Sequence, residues 1–227
     1  MATAVEPLKL KFELLSAATF GRGDGRPGLV DLEIEHDEFG LPYLRGRTLR
    51  GLLAEEMRGL LFALNLEKAD KWKESLERLL GVEGKMTDEM GILHIGDARL
   101  PSRLRQFLIA SVEPDETKRD DKKLAPEQML ESFAAIRRQT AMTERGAPEP
   151  ASLRAMRVVR RGTMFEAELI LDQSPQDHDL PLMAATVLAW KRAGTGRNRG
   201  RGRLRAWIND EAWTLQKFKL FQDKVTT

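Results

Sequence analysis

Apolar and polar residues alternate in several short stretches of the chain, and apolar residues recur at helical spacing in the segments between them. From Leu8 to Leu15, apolar side chains occupy every second position, which is typical of a half-buried strand. Comparable patterns predict further strands at residues 92–98, 153–159, 164–171 and 204–208. The spacing of an amphipathic helix predicts helices at residues 49–64, 69–80, 102–111, 126–136 and 179–193.

The order of these elements indicates the fold. Strand, helix, strand, a long insert, strand, helix and strand follow one another. This is the βαββαβ order of an α+β, ferredoxin-like (RRM-like) fold with its helices on one face of the sheet. The length of 227 residues suits a single domain over residues 1–227. We expect the insert, at about residues 99–160, to project from the sheet.

The composition is that of a globular protein with an uneven distribution of charge. Hydrophobic residues make up 41% of the chain and charged residues 32%, and the net charge is only +2. Residues 137–205 nevertheless contain 14 Lys and Arg against 7 Asp and Glu. This basic C-terminal half points to a localised binding face.

Several classes of protein are excluded or disfavoured by composition. The chain has no cysteine, so disulfides, thiolate zinc sites and cysteine nucleophiles are excluded, and a cytoplasmic location is expected. No run of 18 apolar residues occurs, so we expect no membrane span. The first residues lack the basic-then-apolar order of a signal peptide.

The most distinctive stretch is Arg192–Arg205, in which glycines and arginines alternate. Glycine tolerates positive φ and lets a backbone approach a ligand closely, and arginine presents a planar fork of donors that fits phosphate. A polyanion, and nucleic acid first, is therefore the expected ligand. A flexible linker is the alternative, although the flanking helix and strand favour an anchored loop. The candidate contact residues are Gly194, Gly196, Arg197, Asn198, Arg199, Gly200, Arg201 and Gly202.

A second basic turn comes directly before the first predicted helix. The free N–H groups and the dipole of a helix N-terminus favour an anion, and Thr48 is a plausible cap. An ordinary start of a helix with surface arginines is the alternative. The candidate phosphate-binding residues here are Arg45, Gly46, Arg47, Thr48 and Arg50.

Both motifs resemble signature sequences of the RAMP superfamily of CRISPR effector complexes. Gly40–Gly51 is similar to the family's G-x-P-y-I-P-G-S-S-L-K-G motif, with Arg45 and Arg47 in place of its second proline and first serine. Gly194–Leu204 is similar to the family's C-terminal glycine-rich loop. Two shorter stretches also resemble family motifs, Gly96–Ala98 and Arg161–Phe165.

The resemblance implies a backbone subunit of a type III complex, with an RRM-like palm and an inserted thumb. Such a subunit would bind CRISPR RNA and target RNA. Its protein partners would be other subunits of the complex, including copies or paralogues of itself.

The resemblance also implies a candidate catalytic residue, Asp31, which stands where cleaving members of the family carry a loop aspartate. A carboxylate there can hold Mg²⁺ or another divalent metal, or can orient a ribose 2′-hydroxyl for attack on the next phosphate. Only RNA has that hydroxyl. A solvated loop aspartate is the alternative. Glu33, Glu35 and Asp37 are possible helpers, although an acidic run is usually a solvated face.

Aromatic and imidazole side chains give weaker signals. Trp190 and Trp207 flank the glycine-rich loop and could stack on bases, but we favour core packing for both. His94 alternates within a strand and is expected to be structural, whereas His36 could assist proton transfer near Asp31.

Three functions follow from these expectations. The first is a guide-RNA-binding subunit that also cleaves complementary target RNA. The second is a non-catalytic structural subunit of the same complex, in which Asp31 is inert. The third, less favoured, is an endoribonuclease that matures the guide precursor.

Overall fold

A computed structural model describes residues 7–66, 69–82, 91–117, 122–141, 143–147, 149 and 152–226. These residues form six strands, β1 (Leu8–Leu14), β2 (Leu93–Ile95), β3 (Ala134–Gln139), β4 (Arg154–Val159), β5 (Met164–Leu171) and β6 (Leu204–Ile208). They form six α-helices, α1 (Gly46–Ala63), α2 (Asp70–Leu80), α3 (Ser102–Ala110), α4 (Pro126–Phe133), α5 (Asp179–Ala189) and α6 (Glu211–Thr226).

The central sheet has the strand order β2-β5-β1-β6, and all neighbours are antiparallel. With α1 between the first two strands and α5 between the last two, this is the ferredoxin-like arrangement, so the predicted α+β fold class is confirmed. Phe12 on β1 lies opposite Phe165 on β5, and their rings stack with centroids 5.1 Å apart. Trp190 at the end of α5 meets Phe12 edge-on at 5.0 Å, which puts the centre of the core under the middle of the sheet.

Helix α5 is the central helix of the covering layer and packs against α1, α2 and α6. Its first residue, Asp179, is fully buried and accepts hydrogen bonds from Ser75 Oγ at 2.6 Å and Arg78 Nη2 at 2.6 Å, which fixes α2 on α5. The N-cap residue of α5 is His178, without a side-chain cap. The Asp179 carboxylate does accept the Gln176 N–H at 2.7 Å, just before the helix.

The insert contributes α3, α4 and a separate two-stranded sheet formed by β3 and β4. Helix α4 ends at Phe133 rather than at residue 136, because Ala134–Gln139 pairs along β4. The base of this β3–β4 hairpin belongs to the main core, where Ala134 and Val159 are buried. Within the insert, residues 118–121, 142, 148, 150 and 151 lie outside the described part of the chain.

The C-terminal helix α6 was not predicted, because it buries few residues. Thr214 and Phe221 are its buried side chains. Thr214 Oγ1 accepts the Ile208 N–H at 2.9 Å and so covers an edge group of β6. Phe221 meets Trp72 of α2 at 4.8 Å. Among the residues that the structure describes, no helix is long and apolar enough to span a lipid bilayer.

Candidate nucleic-acid interface

The segment between α5 and β6 is an ordered loop rather than a flexible linker. The N–H of Ala193 donates to the Gly202 carbonyl at 2.9 Å, and the N–H of Thr195 donates to the Thr19 carbonyl at 3.0 Å. The glycines at 194, 196, 200 and 202 all have positive φ, from 65° to 83°, which side chains rarely adopt. A Cβ atom at Gly202 would lie 1.8 Å from the Ala193 carbonyl oxygen. The sequence pattern therefore specifies one loop conformation.

A groove of about 990 Å³ separates this loop from α1 and from the β3–β4 hairpin. Cationic side chains of the loop and of the end of α5 form one wall, and two glutamates of α1 form the other. The charged lining residues are Glu55, Glu56, Lys191, Arg192, Arg197, Arg199 and Arg201. Five positive and two negative side chains thus face an open groove, which suits a polyanion.

The three arginines at the tip of the loop have different surroundings. Arg201 reaches the hairpin, where its Nη2 donates to Gln139 Oε1 at 3.0 Å and its Nη1 contacts the Met156 sulfur. Burial, with the charges of Arg137 and Arg199, lowers the pKa of Arg201, but an arginine remains charged. Arg197 forms an ion pair with Glu55, and Arg199 is exposed. Arg199 is therefore the most accessible of the three for a phosphate.

The anionic wall was not anticipated from the sequence. Burial raises the pKa of Glu56, the neighbouring Glu55 carboxylate raises it further, and Arg197 opposes both effects. Glu55 lies on α1 on the same face as Thr48 and Leu52, which line a smaller pocket of about 200 Å³ with Arg45 and Arg197. Helical spacing in the sequence indicates that Thr48, Leu52 and Glu55 share one face of the helix. The sequence did not show that the glycine-rich loop lies beside that face.

The turn around Gly46 is packed against the sheet. The Gly46 N–H donates to Asp97 Oδ1 at 2.9 Å, so a carboxylate of this chain occupies the start of α1. A Cβ atom at Gly46 would lie 2.4 Å from the Ile95 carbonyl oxygen. Packing against the end of β2 accounts for this glycine. Thr48 is exposed and does not cap α1, whose N-cap residue is Arg45 without a side-chain cap.

The arginines of this turn also have partners within the chain. Arg45 Nε lies 2.7 Å from Glu35 Oε1, and this contact raises the pKa of Arg45. Arg50 donates from Nη1 to the Leu93 carbonyl and from Nη2 to the Leu80 carbonyl, both at 2.6 Å. Arg50 thus joins α1 to β2 and to the end of α2. Arg47 is exposed.

Asp31 lies beside the hairpin at the margin of the groove, which its neighbour Leu32 lines. Its N–H donates to the Ala155 carbonyl at 2.8 Å, and its Oδ2 accepts the Ala155 N–H at 2.7 Å. The side chain is exposed. Among the described residues, no group of three or more His, Cys, Asp or Glu side chains could hold a metal ion.

In the acidic run after Asp31, Glu33 and Glu35 are buried and Asp37 is partly buried, so its interpretation as a solvated face is wrong. Glu33 is 2% exposed, and its Oε1 lies 2.7 Å from Arg157 Nε inside the protein. Glu35 is buried beside Arg45. Asp37 accepts the N–H groups of Phe39 and Leu41. These carboxylates hold the 31–37 segment in place.

The open face of the sheet carries opposite charges in cross-strand pairs. Lys9 lies opposite Glu168 and Lys11 opposite Glu166, and Arg205 Nε lies 2.8 Å from Glu13 Oε2. Trp207 is half-buried on this face with the Arg205 guanidinium 5.6 Å from its ring centroid, so its expected core role is wrong. The core role of Trp190 is confirmed, since it is fully buried.

Two histidines are bonded within the chain. His94 is 48% exposed at its side chain and pairs with Asp172 at the end of β5, which agrees with a structural role. His36 Nδ1 lies 3.1 Å from the Asp37 carbonyl oxygen. This contact keeps the imidazole next to its own backbone, and its part in proton transfer stays a prediction.

The fold and the groove together define a ferredoxin-like palm with a glycine-rich basic loop and a separate hairpin. The RAMP superfamily model matches residues 11–205, and the chain belongs to the RAMP superfamily. No curated protein matches the sequence.

Solved structures that contain chains of similar fold include two of Type III-B Cmr-beta. A chain of the cryo-EM structure of the Type III-B Cmr-beta bound to cognate target RNA has a TM-score of 0.62 at 13% identity, covering 90% of this chain and 98% of that one. A chain of Type III-B Cmr-beta in the apo state has a TM-score of 0.62 at 12% identity, with the same coverage. At these identities the likeness shows the fold.

Proposed function

We propose that this chain is an RNA-binding subunit of a type III CRISPR effector complex and that its groove holds the guide RNA by phosphates. The observation that carries the proposal is the cationic wall of the groove, built by an ordered loop between α5 and β6. Membership of the RAMP superfamily and the fold shared with Cmr-beta chains support it. The partners would be CRISPR RNA, target RNA and other subunits, including copies or paralogues of this chain, in the cytoplasm.

Contact with the RNA backbone is favoured over reading of base sequence. Arginine and lysine bind phosphate without regard to sequence, whereas an RRM sheet stacks bases on aromatic side chains. On the open face of this sheet, the charges are paired across strands and Trp207 lies under Arg205. The groove rather than the sheet is therefore the proposed RNA site.

The groove is tested by removing two exposed cations, Lys191→Ala with Arg199→Ala. Single-stranded RNAs of unrelated sequence should all bind more weakly, and the negative slope of log affinity against log salt should become less steep by about 0.7 for each lost phosphate contact. A matched control, Lys73→Ala with Lys219→Ala, removes the same charge from α2 and α6 and should bind like the parent. Equal affinity and slope in the two double variants would overturn the groove as the RNA site.

Cleavage of the target RNA is the second part of the proposal, with Asp31 as the catalytic carboxylate. Asp31 would accept the proton of a ribose 2′-hydroxyl as that oxygen attacks the adjacent phosphorus; the bond from phosphorus to the 5′-oxygen breaks, and that oxygen leaves as a hydroxyl after taking a proton from water. Asp31 and RNA phosphates would hold a divalent cation such as Mg²⁺, which is often bound by one or two carboxylates with substrate phosphates. When bound, the cation supplies charge stabilisation at the phosphate.

We expect Asp31→Asn to slow cleavage of complementary RNA by the assembled complex about 10²–10⁴-fold. This variant is preferred to alanine because the amide oxygen can still accept the Ala155 N–H, so RNA binding should stay near that of the parent. The control Asp172→Asn changes an exposed carboxylate at the end of β5. The parent should leave a 2′,3′-cyclic phosphate, detected by mass spectrometry, and should not cut at a 2′-deoxy nucleotide.

A non-catalytic structural subunit is the alternative, and one contact favours it. The paired hydrogen bonds between Asp31 and Ala155 give the aspartate a structural reason to be present, since they fasten its loop to β4. If Asp31→Asn cut at the parental rate, the chemistry would belong to another residue or subunit. If the parent complex cut no RNA, the structural role would be correct.

A further inference from the structure

Glu55 is an acidic residue in a groove that otherwise favours anions, and it faces the tip of the glycine-rich loop. Its Oε2 lies 3.1 Å from Arg197 Nη1 across the groove. We infer that Glu55 competes with RNA phosphate for Arg197 and so sets the affinity of the groove. This inference rests on the proposed binding of RNA in the groove.

The ion pair between Glu55 and Arg197 is exposed and open to competition by a phosphate. The Glu55 side chain is 60% exposed and that of Arg197 is 38% exposed, so water and salt reach both. An exposed ion pair changes an equilibrium constant by a factor of only about 1.5 to 5. An RNA strand that contacts the neighbouring cations of the groove can therefore replace the carboxylate on Arg197.

A second arginine–glutamate pair near the loop shows the contrast. Arg45 and Glu35 lie 2.7 Å apart, but the Glu35 side chain is only 9% exposed, whereas that of Glu55 is 60% exposed. Arg45 and Arg197 line the same small pocket, yet only Arg197 has a partner that can swing into solvent.

The surroundings of Arg197 keep its backbone fixed while its side chain exchanges partners. Arg192 Nη1 donates to the Arg197 carbonyl oxygen, and Gly196 and Gly200 bound the short 3₁₀ turn of residues 197–199 in left-handed conformations. The positive charge of Arg197 also opposes the rise in the pKa of Glu56, the second carboxylate of the wall. If the Arg197 guanidinium moved away from α1, Glu55 and Glu56 would both face the bound RNA. Their negative charges would oppose tight binding of RNA at that wall.

The test is a double-mutant cycle in the full chain with Glu55→Gln, Arg197→Ala and both together. The probe is a fluorescein-labelled single-stranded oligouridylate, titrated at several salt concentrations. Glu55→Gln should bind about two- to fivefold more tightly, with a salt slope steeper by about 0.7. In the Arg197→Ala background, the same change should have little effect, because its target is absent.

Glu77→Gln is the matched control, since Glu77 is a partly exposed glutamate of α2 that pairs with Lys73 outside the groove. It removes the same charge and should leave affinity at the parental value. If Glu55→Gln bound like Glu77→Gln, or more weakly than the parent, the inference would be overturned. An equal gain with and without Arg197 would also overturn it, because repulsion alone would then explain the effect.

Failure of this inference is distinguishable from failure of the proposed function. If Lys191→Ala with Arg199→Ala weakens RNA binding and Glu55→Gln changes nothing, the groove binds RNA and only the role of Glu55 is wrong. If neither the parent nor Glu55→Gln binds the probe, both are wrong. Thermal unfolding of every variant confirms that each still folds.

Discussion

The two glycine- and arginine-containing motifs look alike in sequence and differ in the structure. At the start of α1, Gly46 and Arg50 make contacts inside the protein, to Asp97 and to two carbonyl oxygens. In the loop between α5 and β6, the glycines shape the turn and leave several cations on the wall of an open groove. A motif can therefore mark a family because it builds the fold, without each of its residues contacting the ligand.

The largest effect expected from this contrast is on stability, at Gly46. Gly46→Ala should lower the free energy of unfolding by about 3 kcal/mol, because the added Cβ would overlap the Ile95 carbonyl oxygen. Gly51→Ala is the control in the same helix, where a Cβ meets nothing within 4 Å, and should stabilise the protein by about 0.5–1 kcal/mol. Urea unfolding measures both. A stable Gly46→Ala variant with weakened RNA binding would show that Gly46 approaches RNA after all.

A smaller loss of stability is expected at Arg50. Arg50→Met keeps most of the side-chain length but removes both hydrogen bonds to the Leu80 and Leu93 carbonyls. The free energy of unfolding should fall by about 2 kcal/mol. Arg47→Met, at an exposed position three residues earlier, should change it by less than about 0.5 kcal/mol. If both variants were equally stable, Arg50 would be available for RNA, as the motif alone indicates.

The smallest effect is expected at Arg205, the last arginine of the second motif. Its guanidinium pairs with Glu13 on the open face of the sheet, so Arg205→Gln should leave RNA affinity within about twofold of the parent and stability within about 1 kcal/mol. Arg199→Gln, in the groove, should weaken RNA binding more and reduce its salt dependence. A larger loss of affinity at Arg205 would make the sheet face part of the RNA site.

The single domain over residues 1–227 and the insert at about residues 99–160 stay predictions. The hairpin and the palm nevertheless share core residues. Ala134 and Val159 belong to the same buried cluster as Phe12. Arg201 links the loop of the palm to Gln139 and Met156 of the hairpin. The shape of the groove therefore depends on both parts, and arginine at position 201 contributes to it through the hairpin.

Local sequence was sufficient for much of the fold. Strict alternation predicted β1 and β5 almost to the residue, because one side of each strand faces the core and the other faces water. The apolar spacing over residues 49–64 predicted α1 for the same reason, since one face of that helix is buried. Strand β3 was missed because Ala134–Gln139 has little alternation, and only its pairing with β4 makes it a strand.

The sequence by itself determined most of the elements, the resemblance to the family and the cations of the loop, since periodicity, glycine content and charge are local properties. Only the tertiary structure decided which charges have partners. Glu33 with Arg157 and Glu55 with Arg197 are separated by 124 and 142 residues. Such pairs form when packing brings distant segments together. Spacing along the chain therefore could not show that one acidic run is buried or that an acidic wall faces the arginines.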